Sequence, residues 1–221
     1  MTTLLYRWPA AAAFGRVVQK AKFYEHGTVP HAVRQKFVAE VNRITWAYKL
    51  AESTINLPGD STVPEIQVFT IDAKRADVSE VVLGAIDKAV KTPIIFEIIA
   101  GDDRDDRVRM TAAHKQLGAG APKLGAYYTT SWQSGDAGRQ PLPTAITLSA
   151  LYTTLLSPLT PVAARPGEEV SEVAARLETV RKLEREIAAL QRKIRTEPQL
   201  NRKVELRRTL KCKQVELEQQ R

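Results

Sequence analysis

From Pro30 onward, Val33, Phe37, Val41, Ile44 and Tyr48 recur at spacings of four, four, three and four, the period of one buried helix face. Pro30 suits the opening of such a helix, where its missing N–H leaves no hydrogen bond unmade. Arg34, Lys36, Glu40 and Arg43 fall largely on the other side and supply a solvated face. The pattern changes at residues 64–72, where Ile66, Val68, Phe69 and Ile71 form a short β-branched and aromatic run between turn formers, and predicts a strand. A second helix follows. Asp77 with Glu80 three residues later has the form of a capping box, and Val78, Val81, Val82, Ala85, Ile86 and Ala89 extend an apolar stripe that Pro93 ends. Residues 94–100 are almost wholly apolar and read as a buried strand. The acidic string 101–106 turns the chain into 107–115, so the two segments form a hairpin.

A further strand is predicted over 125–132, where Tyr127, Tyr128, Thr129 and Thr130 suit a pleated surface, with a polar loop through Ser134, Gly135 and Gly138 after it. The last element of the body is a helix capped by Thr147, running through Leu148, Leu151, Tyr152, Leu155 and Leu156 and ending before Pro158. A β-α-β unit joined to antiparallel strands, with helices over the sheet, makes the body α+β (mixed α/β). Pro161, Pro166 and Gly167 then break regular structure, and residues 159–168 are expected to link the body, 1–158, to a C-terminal segment, 169–221.

In that segment Val180, Leu183, Ile187, Leu190 and Ile194 recur at three, four, three and four, the seam of a coiled coil. Thr196, Pro198 and Gln199 resemble a new N-terminus, after which Leu206, Leu210 and Leu217 give a second seam interrupted by Lys213. The preferred picture is a helical hairpin. The alternative is one long helix kinked at Pro198 that pairs with another copy, a homodimer through the tail. Leu183, Ile187, Leu190, Ile194, Leu206 and Leu210 are the candidate partner-binding positions.

Composition adds a basic balance. The 221 residues carry 33 Lys and Arg against 25 Asp and Glu, a formal charge of +8, and ordinary apolar content excludes a disordered or collagen-like chain. The longest apolar runs are far short of the roughly 20 residues a membrane helix needs. Met1 to Ala13 is interrupted by Arg7 and Pro9 and is read as mature sequence rather than a signal peptide. Cys212 is the sole cysteine, so no intrachain disulfide forms and the cytoplasm is the expected compartment.

The charge is concentrated. Between residues 192 and 213 nine basic side chains face only Glu197 and Glu205. Arg192, Lys193, Arg195, Arg202, Lys203, Arg207, Arg208 and Lys211 are therefore candidate nucleic-acid contacts, each neutralised phosphate adding salt-sensitive affinity. A solvated coiled-coil surface is the plainer account of the same charges. In the body, Lys115, Lys123, Tyr127, Tyr128 and Trp132 mix cations with aromatics as single-strand binders do, although alternation puts Tyr127 and Tyr128 on opposite faces. His26, His31 and His114 are isolated, and neither a metal nor a cofactor is expected. Glu40, Glu65 and Asp72, with Gln67, faintly resemble the Mg²⁺-holding cluster of restriction-type nucleases, without the usual lysine.

Several strings taken together resemble the bacterial family called domain of unknown function 4391. They are Lys22-Phe23-Tyr24, Trp46-Ala47-Tyr48-Lys49-Leu50, Thr54-Ile55-Asn56, Glu65-Ile66-Gln67-Val68-Phe69, the run from Tyr127 to Trp132, and Gln199-Leu200-Asn201-Arg202-Lys203-Val204-Glu205-Leu206. The resemblance covers nearly the whole chain and carries no catalytic residue across. It implies genes beside helicases and DNA methyltransferases in restriction-like, phage-defence loci, and hence an accessory subunit. Two expectations follow. One is a non-catalytic adaptor that docks a helicase or methyltransferase and contacts DNA, and the other is a metal-dependent nuclease using the degenerate acidic cluster.

Overall fold

The computed structural model describes residues 5–25, 29–101, 106–117, 122–160 and 170–220. The chain divides into two compact units, Met1–Pro161 and Val162–Arg221. The first contains β1 (Tyr6–Arg7), β2 (Ala13–Val17), α1 (Lys20–Glu25), α2 (His31–Glu40), β3 (Val41–Leu50), α3 (Glu52–Ile55), β4 (Ile66–Ala73), α4 (Glu80–Ala89), β5 (Ile94–Ala100), β6 (Arg107–Gln116), β7 (Lys123–Thr129), β8 (Gln133–Ser134), β9 (Gln140–Pro141) and α5 (Leu148–Leu156). The second contains α6 (Val170–Thr196) and α7 (Leu200–Gln220). The fold is α+β: a mixed sheet with helices, and a C-terminal helical pair. Among the described residues, no helix is long and apolar enough to cross a membrane.

The main sheet has the order β2-β3-β4-β5-β6-β7, with β8 also paired to β6, and the short β1 and β9 pair separately. Only β4 and β5 are parallel neighbours along that path, and α4 makes the crossover between them. One core has Phe23, Phe37, Val82, Leu83 and Ile86 of the helices against Phe69, Ile71, Phe96 and Ile98 of the central strands. Each such buried side chain stabilises the fold by about 1.5–3 kcal/mol relative to exposure. A ladder of rings crosses the sheet from Phe14 to Trp46, Phe69, Phe96 and Tyr127, with centroid separations of 4.3, 5.9, 6.4 and 6.4 Å.

The helix expected over 30–48 stops at Glu40, and Val41–Leu50 is a strand paired on both sides. Its apolar spacing imitates a helix because the β3–β4 register shifts between Val41 and Arg43 and again between Trp46 and Tyr48. Each shift adds a residue to the strand's period of two. The β-branched and aromatic residues Val41, Ile44, Thr45 and Trp46 suit a sheet better than a helix, where their χ1 freedom is lost.

The expected capping box does not form either. Helix α4 starts at Glu80 with Ser79 before it, while the Asp77 carboxylate accepts from the Val78 N–H at 2.7 Å and meets Arg109 at 2.6 Å. Its buried face is Val82, Leu83, Ile86 and Asp87, and Val81 points outward. Residues 94–100 form the buried strand, paired antiparallel to β6, and the partner of the 123–129 strand is β6 as well. Thr147 caps α5 through its hydroxyl, which accepts from the Ala150 N–H at 3.1 Å. A 3-10 turn, Ser157–Leu159, then carries the body past residue 158 with Leu159 buried.

Candidate functional site

The residues proposed for metal-dependent cleavage do not share a site. Glu65 precedes β4 and Asp72 lies near its far end, seven residues on, about 23 Å at the rise of an extended strand. Glu40 is at the Asp72 end, where its carboxylate accepts from the Ser79 N–H at 2.8 Å, and Asp72 pairs with Arg43 at 2.7 Å. Glu65 does have a lysine beside it, contributed by the adjacent strand: Lys49 Nζ is 2.7 Å from its carboxylate. Gln67 donates to Glu65 at 3.0 Å and to Thr92 at 3.1 Å, and accepts from the Trp46 indole at 2.8 Å. This network brings together Trp46, Lys49, Glu65 and Gln67 from two of the quoted strings, and its polar groups satisfy one another. Thr54 of a third string accepts from the Ala51 N–H at 2.9 Å, and Asn56 ends α3 in the left-handed region at φ 55°, a conformation asparagine tolerates better than most residues.

The mixed patch of cations and aromatics is not assembled as a surface. The Lys115 side chain is 0% exposed and Asp87 opposite it 1%, their charged atoms 2.6 Å apart. Lys115 Nζ also lies 2.8 Å from the carbonyls of Asp87, Val90 and Thr92, which engage the three N–H bonds of an ammonium. The Tyr127 hydroxyl donates to Asp87 at 2.6 Å and the Tyr152 hydroxyl to the Ala113 carbonyl at 2.8 Å. Burial pushes the Asp87 carboxyl up and the Lys115 ammonium down, and each partner's charge opposes the shift. Burial also drives the Tyr127 and Tyr152 phenols far above their ordinary range, with Asp87 adding to both. This cluster bolts the end of α4 to β6 and β7. Trp132 is flanked by Arg107 and Arg109 at 5.4 and 5.0 Å, and the expected separation of Tyr127 from Tyr128 holds, since they pair with Ala113 and Ala112 in turn.

A second buried network ties the first residues of the body to its centre. Glu97 of β5 accepts from the Trp8 indole at 2.8 Å and takes both Arg139 amino groups, at 2.7 and 3.0 Å, while Arg139 also reaches the Tyr6 carbonyl at 2.9 Å. Of the histidines, His31 is exposed at the start of α2, His114 is half-buried on β6, and His26 lies outside the described residues, as do Asp102, Asp103 and Asp105. Among the described residues no three His, Cys, Asp or Glu side chains come together as metal ligands.

In the second unit, α6 and α7 pack side by side as an antiparallel hairpin. The Arg176 guanidinium near the start of α6 donates to the Gln220 carbonyl at the end of α7, 2.9 Å away. Lys213, the apparent flaw in the second seam, reaches across to Glu186 at 3.2 Å and along its own helix to Glu216 at 2.9 Å. These carboxylates raise the affinity of its amine for a proton, Glu216 most. Thr196 does not cap α7. It ends α6, with its hydroxyl donating to the Arg192 and Lys193 carbonyls, and Glu197 accepts from the Gln199 N–H at 3.1 Å instead.

The candidate partner-binding residues fall into two groups. Leu183 and Ile187 are buried, whereas Leu190, Ile194, Leu206 and Leu210 are half-buried. Beyond them Leu200, Val204 and Val215 of α7 are 73%, 39% and 52% exposed. Ile194 and Leu210, with Gln191, Arg195 and Arg207, line an open cleft of about 400 Å³ between the helices. Of the candidate nucleic-acid contacts, Arg202 lies 3.7 Å from Glu197. Arg192, Lys193, Arg195, Lys203, Arg207, Arg208 and Lys211 have no carboxylate within 4 Å among the described residues.

The fold and these surfaces define a two-unit α+β protein with a basic, incompletely covered helical hairpin. The chain belongs to the family described as Domain of unknown function (DUF4391), whose model matches residues 7–217, so body and hairpin are both part of the family pattern. No curated protein and no solved structure matches the chain.

Proposed function

We propose that this protein is a non-catalytic accessory subunit of a bacterial anti-phage, restriction-like system, docking a helicase or DNA methyltransferase through its C-terminal hairpin and contacting DNA there. The observation that carries this reading is the hairpin surface toward its turn, where four seam leucines and isoleucines stay half-exposed and Leu200 and Val204, one turn apart on α7, stand in solvent. A two-helix pair covers only one stripe of each helix, and a contiguous apolar surface left outside that stripe is the kind of feature that marks an interaction site. The family membership supports the same reading through the loci expected for its members. The protein then works in the cytoplasm, where its single cysteine stays reduced and needs no partner.

Co-purification with the helicase and methyltransferase of the same locus tests the reading. The full chain is expected to retain them, and a chain lacking residues 168–221 to lose them. Metal-dependent cleavage of DNA by the purified protein, abolished by Glu65→Ala, would contradict the non-catalytic part.

A further inference from the structure

The charges of the hairpin are sorted between its two flanks. At 3.6 residues per turn the seam of α7 runs through Lys203, Leu206, Leu210, Lys213 and Leu217, and that of α6 through Leu183, Ile187, Leu190 and Ile194. Two observations fix which flanks coincide. Lys213 meets Glu186 on one side, and Gln191, Arg195 and Arg207 meet around the cleft on the other. The Glu186 side is mixed in sign: with Lys182, Lys193, Arg202 and Lys213 it carries Glu197 and Glu216, and two of these cations are paired. On the cleft side, Lys203, Arg207 and Lys211 form a row at i, i+4 and i+8, Arg195 stands across from them, and Arg192 and Arg208 border the row. The carboxylates on that flank, Glu184 and Glu218, lie about 10 Å or more along the helices toward the open end.

We propose that the cleft-side flank of the α6–α7 hairpin binds the phosphate backbone of double-stranded nucleic acid, with Arg195 and Arg207 closing on one phosphate from opposite helices. The row from Lys203 to Lys211 is about 12 Å long. One strand of a duplex presents a phosphate every 3.4 Å or so of its axis, and a groove-tracking helix can meet several. The ligand is duplex rather than single-stranded because the tail has no aromatic residue from 168 onward on which an unpaired base could stack. Arginine is suited to the clamp, since its planar fork holds phosphate oxygens in pairs. Recognition is by backbone alone, hence independent of sequence. This inference deepens the DNA-contact part of the proposed function and makes no use of the docking part. Retention or loss of a protein partner leaves it unaltered.

Charge-matched variants of the full chain test it. One carries Arg195→Gln, Arg207→Gln and Lys211→Gln from the cleft flank, the other Lys182→Gln, Lys193→Gln and Arg202→Gln from the opposite flank. Both remove three charges, and glutamine keeps the helix, which far-ultraviolet circular dichroism checks. Binding to a labelled duplex of arbitrary sequence is followed by fluorescence anisotropy from 50 to 200 mM salt. The cleft-flank variant is expected to bind at least tenfold more weakly and to lose about 1.8 from the slope of log K against log salt, 0.9 for each of the two phosphates released, the one clamped by Arg195 and Arg207 and the one met by Lys211. The opposite-flank variant is expected to change affinity less than threefold. Equal losses in the two variants, or no duplex binding by the parent, would overturn the proposal. So would tighter binding of a single strand, or displacement of the duplex by polyglutamate at matched charge, which would assign the flank to an acidic protein surface.

Discussion

Replacing Lys115 by methionine fills the same space and removes the ammonium from a site where both charged side chains are essentially unexposed. Asp87 is then left with the Tyr127 hydroxyl as its remaining partner, and the Asp87, Val90 and Thr92 carbonyls lose their shared donor. Removing one member of a buried ion pair costs about 3–5 kcal/mol, because the other charge stays desolvated. For a domain of this size each kcal/mol lowers Tm by about 2–4 °C, so the expected fall is about 6–20 °C. Trp8, Trp46 and Trp132 all lie in the first unit, so fluorescence-detected urea unfolding reports the body without interference from the tail. Adding Asp87→Asn to Lys115→Met takes away the stranded charge while keeping an acceptor for Tyr127, and is expected to recover at least about 1.5 kcal/mol of the loss. A cost under about 1 kcal/mol for Lys115→Met, or a double variant no more stable than the single one, would refute the assignment of this pair as the charged bolt between α4 and β6.

Three further outcomes follow from the same geometry. Arg139→Ala leaves the buried Glu97 carboxylate with the Trp8 indole alone. Because Arg139 is itself 31% exposed, the loss is expected near the low end for such pairs, about 2–3 kcal/mol by urea unfolding, and an unchanged midpoint would count against it. The Asp60 carboxyl is held well below its ordinary range, first by the Ser149 hydroxyl and then by Thr62 and the Val63 N–H. Its folded pKa lies below its unfolded one, so the stability it contributes is present above about pH 4 and lost as pH falls through the folded value; Asp60→Asn is expected to flatten the body's acid-unfolding curve in that window, and an identical slope would contradict this. Lys213→Leu gives up exposed ion pairs of little value and completes the seam between Leu210 and Leu217. The helix melt followed at 222 nm is expected to move up, and a lower midpoint would show that the Lys213–Glu186 contact holds the hairpin together.

Elements whose pattern is local could be read from the chain. Thr147 and the leucines after it announce α5 with its cap, and the β-branched runs announce β4 and β5. The leucine and isoleucine spacing of residues 183–210 announces two helices, and Pro198 sits in their turn. Strand β3 was hidden because two bulges gave it a helix-like spacing, and β2, at the sheet edge, buries too little to show an alternation. The polar networks were beyond local patterns for a different reason. Lys49 and Glu65 come from neighbouring strands, Asp87 and Lys115 from a helix and a strand 28 residues apart, and Trp8 and Glu97 from positions 89 apart. Lys115 looked like a surface cation, and only the carbonyls at the end of α4 make it a core residue. Lys213 likewise looked like a break in the seam until Glu186 stood opposite it.

The proposed docking role requires that the hairpin, rather than the sheet, be the element that meets the partner. Hydrogen–deuterium exchange on the complex purified with its locus helicase or methyltransferase tests that requirement directly. Slowed exchange across residues 186–214, around the half-exposed Leu190, Ile194, Leu206 and Leu210, with the body unchanged, is the predicted result. Protection confined to the body, with the hairpin exchanging as it does in the free protein, would contradict it.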